Sequence, residues 1–216
     1  MSRPILYDYF RSSAAYRVRI ALNLKGIDYE SRQVDLREGE QIESGYRALN
    51  PQGLVPMLEI DGHRLTQSLA IVSYLDLRYQ NQPLLPASAV ERAHVLSMAL
   101  AVACDIHPLN NLRVLKYLKG ELGQDQAAID RWYVHWVSEG LEALEAMAAP
   151  RAGAFLFGNA PTLADVCLVP QLYNARRFSV PLDAYPTLRR ADESASALPA
   201  FAAAHPDRVA QEETVQ

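Results

Sequence analysis

From Pro4 to about Tyr79 the chain switches between short apolar runs, alternating segments and helical spacing. Pro4 to Tyr9 is a short apolar run that predicts a strand. Ser12 to Leu24 sets arginines among apolar residues at helical spacing, and Asp28 to Val34 alternates as a strand does. Together these predict a β–α–β opening. A polar helix is expected around Gln41 to Leu49. Val55 to Ile60 and His63 to Thr66 then flank Asp61-Gly62, a pair that favours a tight hairpin turn because both residues accept positive φ. A further helix is expected from Gln67 to about Tyr79, with Leu69, Val72, Tyr74, Leu75 and Leu77 among its apolar positions.

The stretch Asn81-Gln82-Pro83-Leu84-Leu85-Pro86 interrupts any helix and is expected to be a linker. Everything beyond it has helical character. Ile129, Trp132, Tyr133, Trp136, Val137, Gly140, Leu141, Leu144 and Met147 recur in a three-then-four rhythm and predict one buried stripe. In Pro161-Thr162-Leu163-Ala164-Asp165, Thr162 can cap a helix while Asp165 reaches back to its N–H, the aspartate form of a capping box. Pro170 lies inside that helix, so a kink or a fresh start is expected there. The last ten residues, rich in Glu, Gln and Thr, are expected to fray. The resulting plan is an α/β domain over residues 1–80, a linker over 81–90 and an all-helical domain over 91–216.

Composition narrows the class of function. Half the residues are hydrophobic, 21% are charged and the formal net charge is −4, with lysines and arginines scattered rather than blocked. No footprint for nucleic acid or an anionic membrane follows from that, and any arginine cluster must be assembled by the fold. No charged-then-apolar leader opens the sequence and no apolar run is long enough to span a bilayer, so a cytoplasmic protein is expected. The two cysteines, Cys104 and Cys167, form no CxxC pair and no zinc spacing, so no metal is expected. Their apolar neighbours predict buried structural thiols. Thiol chemistry, if any, would need a sulfur from outside.

Three short segments could carry such chemistry. In Arg11-Ser12-Ser13-Ala14-Ala15-Tyr16-Arg17, small hydroxyl residues open a helix. A serine there serves as an ordinary cap, but a helix N-terminus also stabilises an adjacent thiolate and lowers its pKa. In Asn50-Pro51-Gln52-Gly53-Leu54-Val55-Pro56, a proline just inside a strand suits an edge or a cis bond, leaving the Val55 N–H and C=O able to pair with an extended peptide. Gln67-Ser68 begins the next helix, a second N-terminus fit for a carboxylate.

In this order, Tyr9-Phe10-Arg11-Ser12-Ser13 with Arg17-Val18-Arg19-Ile20-Ala21-Leu22, Asn50-Pro51 with Val55-Pro56, and Gln67-Ser68-Leu69-Ala70-Ile71 make the chain resemble the zeta class of glutathione transferases, the maleylacetoacetate isomerase family. The resemblance covers nearly the whole chain. It implies a thioredoxin-like N-terminal domain followed by a helical C-terminal domain, glutathione as cofactor and a homodimer. Pro56 would be a cis-proline, Val55 would pair with the cysteinyl backbone of glutathione, and Gln67 and Ser68, with Gln52 nearby, would hold its γ-glutamyl end. Ser12 would activate the thiol, with Ser13 and Arg11 beside it. The family reads Ser-Ser-Cys at this turn, whereas this chain has Ala14, which leaves thiolate stabilisation to Ser12 and the helix terminus.

Cys104-Asp105-Ile106-His107-Pro108-Leu109-Asn110-Asn111-Leu112-Arg113 and Asn174-Ala175-Arg176-Arg177-Phe178 are similar to the bacterial maleylpyruvate isomerase branch. That likeness implies a small dicarboxylate substrate met by Arg11, His107, Arg113, Arg177 and Arg176, with Asn110 or Asn111 helping to bind glutathione across a dimer interface. Guanidinium forks match carboxylates bidentately, although single arginines more often form surface ion pairs. Two other functions fit the same first domain: a transferase that conjugates glutathione to small electrophiles or halogenated acids, and a non-catalytic binding module of this fold.

Overall fold

Strand β1 (Ile5–Asp8) buries Leu6 and Asp8 on one face, and it forms the middle of the first folding unit because both of its edges are taken. The computed structural model describes residues 3–214. Helix α1 (Ser13–Leu24) crosses from β1 to β2 (Glu30–Gln33), and these two strands pair in parallel, Ile5 opposite Glu30. The short helix α2 (Ser44–Leu49) precedes β3 (Met57–Ile60), which runs antiparallel to β1 with Leu6 opposite Leu58. Asp61 and Gly62, at φ 50° and 79°, turn the chain into β4 (His63–Thr66). Helix α3 (Ser68–Arg78) follows, and the strand order is β2-β1-β3-β4.

The predicted elements differ from these at three edges. The alternation over Asp28 to Val34 reads as a half-buried strand, yet all four residues of β2 are exposed, because β2 is the sheet's edge and carries Glu30 and Arg32 there. The polar helix splits into a 3₁₀ turn (Glu40–Ile42) and α2. The strand expected from Val55 begins only at Met57, because Pro56 has no N–H to give to the ladder; the Val55–Pro56 peptide is cis.

The second unit, Leu84–Ser196, is helical. Helix α4 (Ala89–Leu100) continues into a π-helical turn (Ala101–Ile106) and a 3₁₀ turn (His107–Asn110), followed by α5 (Leu112–Gly120), α6 (Gln126–Ala148), α7 (Leu163–Arg177) and α8 (Pro186–Ser196). The stripe on α6 is buried at Ile129, Tyr133, Val137, Leu141 and Leu144, while Trp132 and Trp136 flank it half-buried. The π turn rotates Val102 and Ile106 inward and Cys104 outward, so Cys104 is exposed, against the expectation of two buried thiols; Cys167 is buried. Helix α7 runs through Pro170 without restarting, and its burial on most sides compensates for the backbone hydrogen bond that proline cannot make.

The break between the two units, after Pro83, falls inside the expected 81–90 stretch, where Leu84 and Leu85 are buried. The chain from Ala197 onward clusters with the first unit rather than with the helical one. There α9 (Pro199–Ala203) lies against α1, with Asn23 Nδ2 donating to Ala200 O at 2.9 Å and Phe201 fully buried. Helix α10 (Pro206–Thr214) continues where fraying is expected, and Val215 and Gln216, like Met1 and Ser2 at the other end, lie outside the described residues. Lys25 has its ammonium buried and donates to Asp76 Oδ1 (2.8 Å) and to the carbonyls of Asn81 and Gln82 (2.9 Å each), which fixes the end of the first unit's opening stretch. No helix among the described residues is long and apolar enough to cross a membrane.

Asp165 anchors the start of α7. Its carboxylate accepts from Leu156 N–H (2.8 Å), Thr162 N–H (2.8 Å) and Thr162 Oγ1–H (2.9 Å), while burial pushes its pKa up to about 6 against those three donors. A carboxyl that holds its proton more tightly folded than unfolded stabilises the fold below the unfolded value and loses that contribution as pH rises through about 6. Urea unfolding of the parent is therefore expected to show stability falling between the ordinary aspartate range and pH 6 from this group. Asp165→Asn is expected to flatten that slope and to be less stable throughout by roughly 1–3 kcal/mol, since its amide nitrogen cannot accept a buried N–H.

Candidate active site

The register of the sheet brings the three predicted segments to one end of the first unit. Tyr7 lies opposite Met57, and Met57 opposite Thr66, so the residues after β1, before β3 and after β4 leave the sheet at the same edge. Tyr9 and Val55 share a buried cluster with Val34 and Tyr46, which ties the first segment to the second.

Ser12 caps α1: its Oγ accepts from Ala15 N–H at 3.2 Å and its own N–H donates to Tyr9 O at 2.8 Å. Because Oγ is the acceptor toward the helix, the hydroxyl proton remains able to donate outward. Ser13 is only 4% exposed, so the hydroxyl reachable at this turn belongs to Ser12. No acidic residue occupies the first turn of α1 to oppose an anion there. Arg11 is exposed, its guanidinium 5.0 Å from the centre of the Phe10 ring.

The loop before the cis-proline is braced from within. Asn50 Nδ2 and Tyr46 Oη both donate to Leu54 O at 2.7 Å, and Asn50 Oδ1 accepts from Gln52 N–H at 3.1 Å. Gly53 sits at φ 61°, where a Cβ would come within 2.9 Å of Gln41 O, so the turn requires glycine. Among the described residues no backbone hydrogen bond uses the N–H or C=O of Val55, which leaves both to pair with an added strand.

Gln67 stands at φ 68°, a conformation uncommon outside glycine, and instead of capping α3 its Nε2 donates to Gln52 Oε1 at 2.9 Å. The first N–H groups of α3 therefore have no side-chain cap. Buried Arg17 reaches from α1 to donate to Ser68 Oγ at 3.3 Å, a support that sequence reasoning passes over because arginine is by default a surface residue. A helix start capped by Ser12, an uncapped start at α3 and a strand-like segment with open hydrogen-bonding groups suit a short peptide carrying a thiol and a carboxylate.

In the helical unit, the π turn delivers His107, Asn110, Asn111 and Arg113 in one stretch. Trp132 Nε1 donates to Leu109 O at 2.7 Å, and a Cβ on Gly140 would clash with Ile106, so α6 grips the stretch at two points. Asn110 is 5% exposed with neither amide atom hydrogen-bonded within the described residues. Asn111 instead caps α5, its Oδ1 accepting from the N–H of Arg113, whose side chain is exposed.

The two arginines ending α7 diverge. Arg176 is engaged in an ion pair with buried Asp192 of α8. Arg177 donates to Asn174 Oδ1 at 3.2 Å and lies 5.8 Å from the Tyr173 ring centre and 5.7 Å from that of Phe178. Under Phe178 stacks Tyr133, ring centres 3.9 Å apart and planes at 16°. Burial raises the Tyr133 phenol well above its ordinary pKa while the charge of Arg177 pulls it the other way.

Family models for the N-terminal and C-terminal domains of glutathione S-transferase match residues 3–77 and 126–205. The chain is 52% identical over 210 residues to a probable maleylacetoacetate isomerase of Vibrio cholerae, covering 96% of this chain and 97% of that one. It is similar throughout to the holo structure of a maleylpyruvate isomerase described as a bacterial zeta-class glutathione S-transferase, with TM-score 0.92, 46% identity and 94% and 97% of the two chains covered.

The chain belongs to the zeta class of the glutathione transferases.

A maleylacetoacetate isomerase of Anaeromyxobacter dehalogenans has been solved with dicarboxyethyl glutathione and citrate in its active site; it shares 46% identity, with TM-score 0.85 and 95% of each chain covered. The zeta-class fold thus accounts for the α/β first unit with its four-stranded sheet and for the helical second unit.

Proposed function

We propose that this zeta-class chain catalyses the glutathione-dependent cis–trans isomerisation of maleylacetoacetate or maleylpyruvate to the fumaryl isomer. The observation that carries this reading is the shared sheet edge of Ser12, Val55 with cis-Pro56, and Gln67 with Ser68. Isomerases similar to the chain along almost its whole length support it.

These residues fit glutathione. The open N–H and C=O of Val55 would pair with its cysteinyl backbone, and the uncapped start of α3 with Ser68 and Gln67 would hold its γ-glutamyl carboxylate, Gln52 keeping Gln67 in place. Bound there, glutathione would supply the nucleophilic thiolate for reversible addition to the cis double bond. Ser12 donates its hydroxyl proton to the sulfur and, with the N-terminus of α1, favours the anion. Arg177 and Arg113 bind the substrate carboxylates and stabilise charge developing on the adjacent carbonyl, while His107 orients the substrate or carries a proton. Arg176, half-exposed and paired to Asp192 through Nη2 alone, would keep its other donors for the same carboxylates. The working assembly is a homodimer, a role suited by exposed apolar residues such as Leu77 and Val90.

Purified protein with glutathione is expected to convert maleylacetone or maleylpyruvate to the trans isomer with total free thiol unchanged. Consumption of thiol in step with substrate would identify a conjugating transferase instead. Arg177→Ala is expected to raise KM for the dicarboxylate by about tenfold or more, the cost of one charge-assisted carboxylate contact.

A further inference from the structure

We propose that Tyr133 and Phe178 are positioning residues that hold the Arg177 guanidinium in its carboxylate-binding pose, and so set the enzyme's affinity for dianionic substrates. The inference rests on the role given to Arg177 above.

An exposed arginine at the last position of a helix ordinarily samples many rotamers, and a ligand must then freeze one of them. Arg177 is held otherwise. Its guanidinium lies within 6 Å of two ring centres, 5.8 Å from Tyr173 and 5.7 Å from Phe178, the range of cation–π attraction. Asn174 Oδ1 takes one N–H at 3.2 Å, leaving the remaining donors of the fork for a carboxylate.

Phe178 cannot act alone as a platform. It follows the end of α7, at φ −102° and ψ 15°, and the next residue, Ser179, is at φ 54°, so the backbone departs from the helix just where the ring must be fixed. What fixes the ring is Tyr133 of α6, stacked nearly parallel at 3.9 Å and only 1% exposed. The phenolic oxygen of Tyr133 has no hydrogen-bond partner among the described residues, although a buried hydroxyl is ordinarily paired. The position is therefore occupied for its ring rather than its hydroxyl, and the ring's work is the stack beneath Phe178.

The test compares Tyr133→Leu, Phe178→Leu and Tyr133→Phe in the full-length enzyme, reading KM for maleylacetone, inhibition by malonate, KM for glutathione and kcat. Loss of the platform is expected to raise KM for maleylacetone and the malonate inhibition constant by about five- to tenfold, roughly 1–1.4 kcal/mol, in both leucine variants. KM for glutathione and kcat are expected to stay close to those of the parent, and Tyr133→Phe to restore dicarboxylate affinity because it keeps the ring.

A folded Tyr133→Leu with unchanged dicarboxylate KM overturns the proposal. So does a variant whose glutathione KM rises in parallel, which marks a general structural defect, or a Tyr133→Phe as impaired as Tyr133→Leu, which assigns the work to the hydroxyl. Should Tyr133→Leu not fold, as thermal unfolding would reveal, Phe178→Leu and Tyr173→Leu carry the same comparison. If Arg177→Ala itself leaves the dicarboxylate KM unaltered, the role of Arg177 fails. If it raises KM while the ring variants do not, only the platform fails.

Discussion

Ser12→Ala is expected to lower kcat about a hundredfold, the usual loss when one preorganised donor to a reacting anion is removed. The hydroxyl has two tasks that separate cleanly. Its oxygen accepts the Ala15 N–H as a helix cap, a contact worth about 1 kcal/mol, and its proton is left for the sulfur. Helix α1 is backed by buried Ala15, Val18, Ile20, Ala21 and Leu22, so the fold survives the loss of the cap. Without the donor the bound thiol becomes less acidic, so the acidic limb, on which kcat rises with pH, is expected to move to higher pH. Stopped-flow turnover across pH, with thiolate absorbance on glutathione binding, measures both effects. Ser12→Thr keeps the hydroxyl and is expected to retain most activity, whereas Ser13→Ala alters a buried residue and is expected to change kcat far less. Full turnover by Ser12→Ala would leave the helix terminus as the only stabiliser of the anion.

Arg19→Met is expected to destabilise the protein by about 3–5 kcal/mol, because it strands a carboxylate in the interior. Asp8 is fully buried and Arg19 is 1% exposed, with Nη1 donating to both Asp8 oxygens at 2.7 and 2.9 Å. The same guanidinium serves Phe10 O through Nη2 and Ala204 O through Nε, both at 3.0 Å. A lysine offers a point charge rather than a planar fork and cannot reproduce these directions, so Arg19→Lys is expected to fail nearly as badly. Asp8→Leu combined with Arg19→Met removes both charges and is expected to recover part of the loss, leaving the Phe10 and Ala204 carbonyls unmet. Urea denaturation of the single and double variants decides this, and an Arg19→Met protein as stable as the parent would contradict it. Phe10 lies two residues before Ser12, so the surviving fraction is also expected to bind glutathione more weakly.

Much of the site could be read from residue types in order. The Asp61-Gly62 turn, the α6 stripe, the Asp165 cap and the placing of Ser12, Pro56 and Ser68 at element boundaries all depend on local chemistry, and local chemistry is what a sequence displays. Arg17 and Arg19 escaped that reading because burial of an arginine depends on partners 51 and 185 residues away. Arg176 and Arg177 are neighbours in sequence, but successive helix positions point about 100° apart, so one meets Asp192 and the other the aromatic platform. Cys104 turned outward because an extra residue per turn at Ala101–Ile106 shifts the phase of everything after α4. The helical character read beyond Pro86 does not say which core α9 and α10 serve, and the polar last ten residues conceal α10.

The hydrogen bond from Arg19 to Ala204 joins positions 185 residues apart. A ribosome making this protein releases the β–α–β opening early, yet the acceptor that completes its buried charge network is synthesised long afterwards. The opening must therefore wait, with one of its guanidinium donors unsatisfied by its final partner, until Ala204 has been made. Trimming the C-terminus back past Ala197 would damage the half of the protein that was made first.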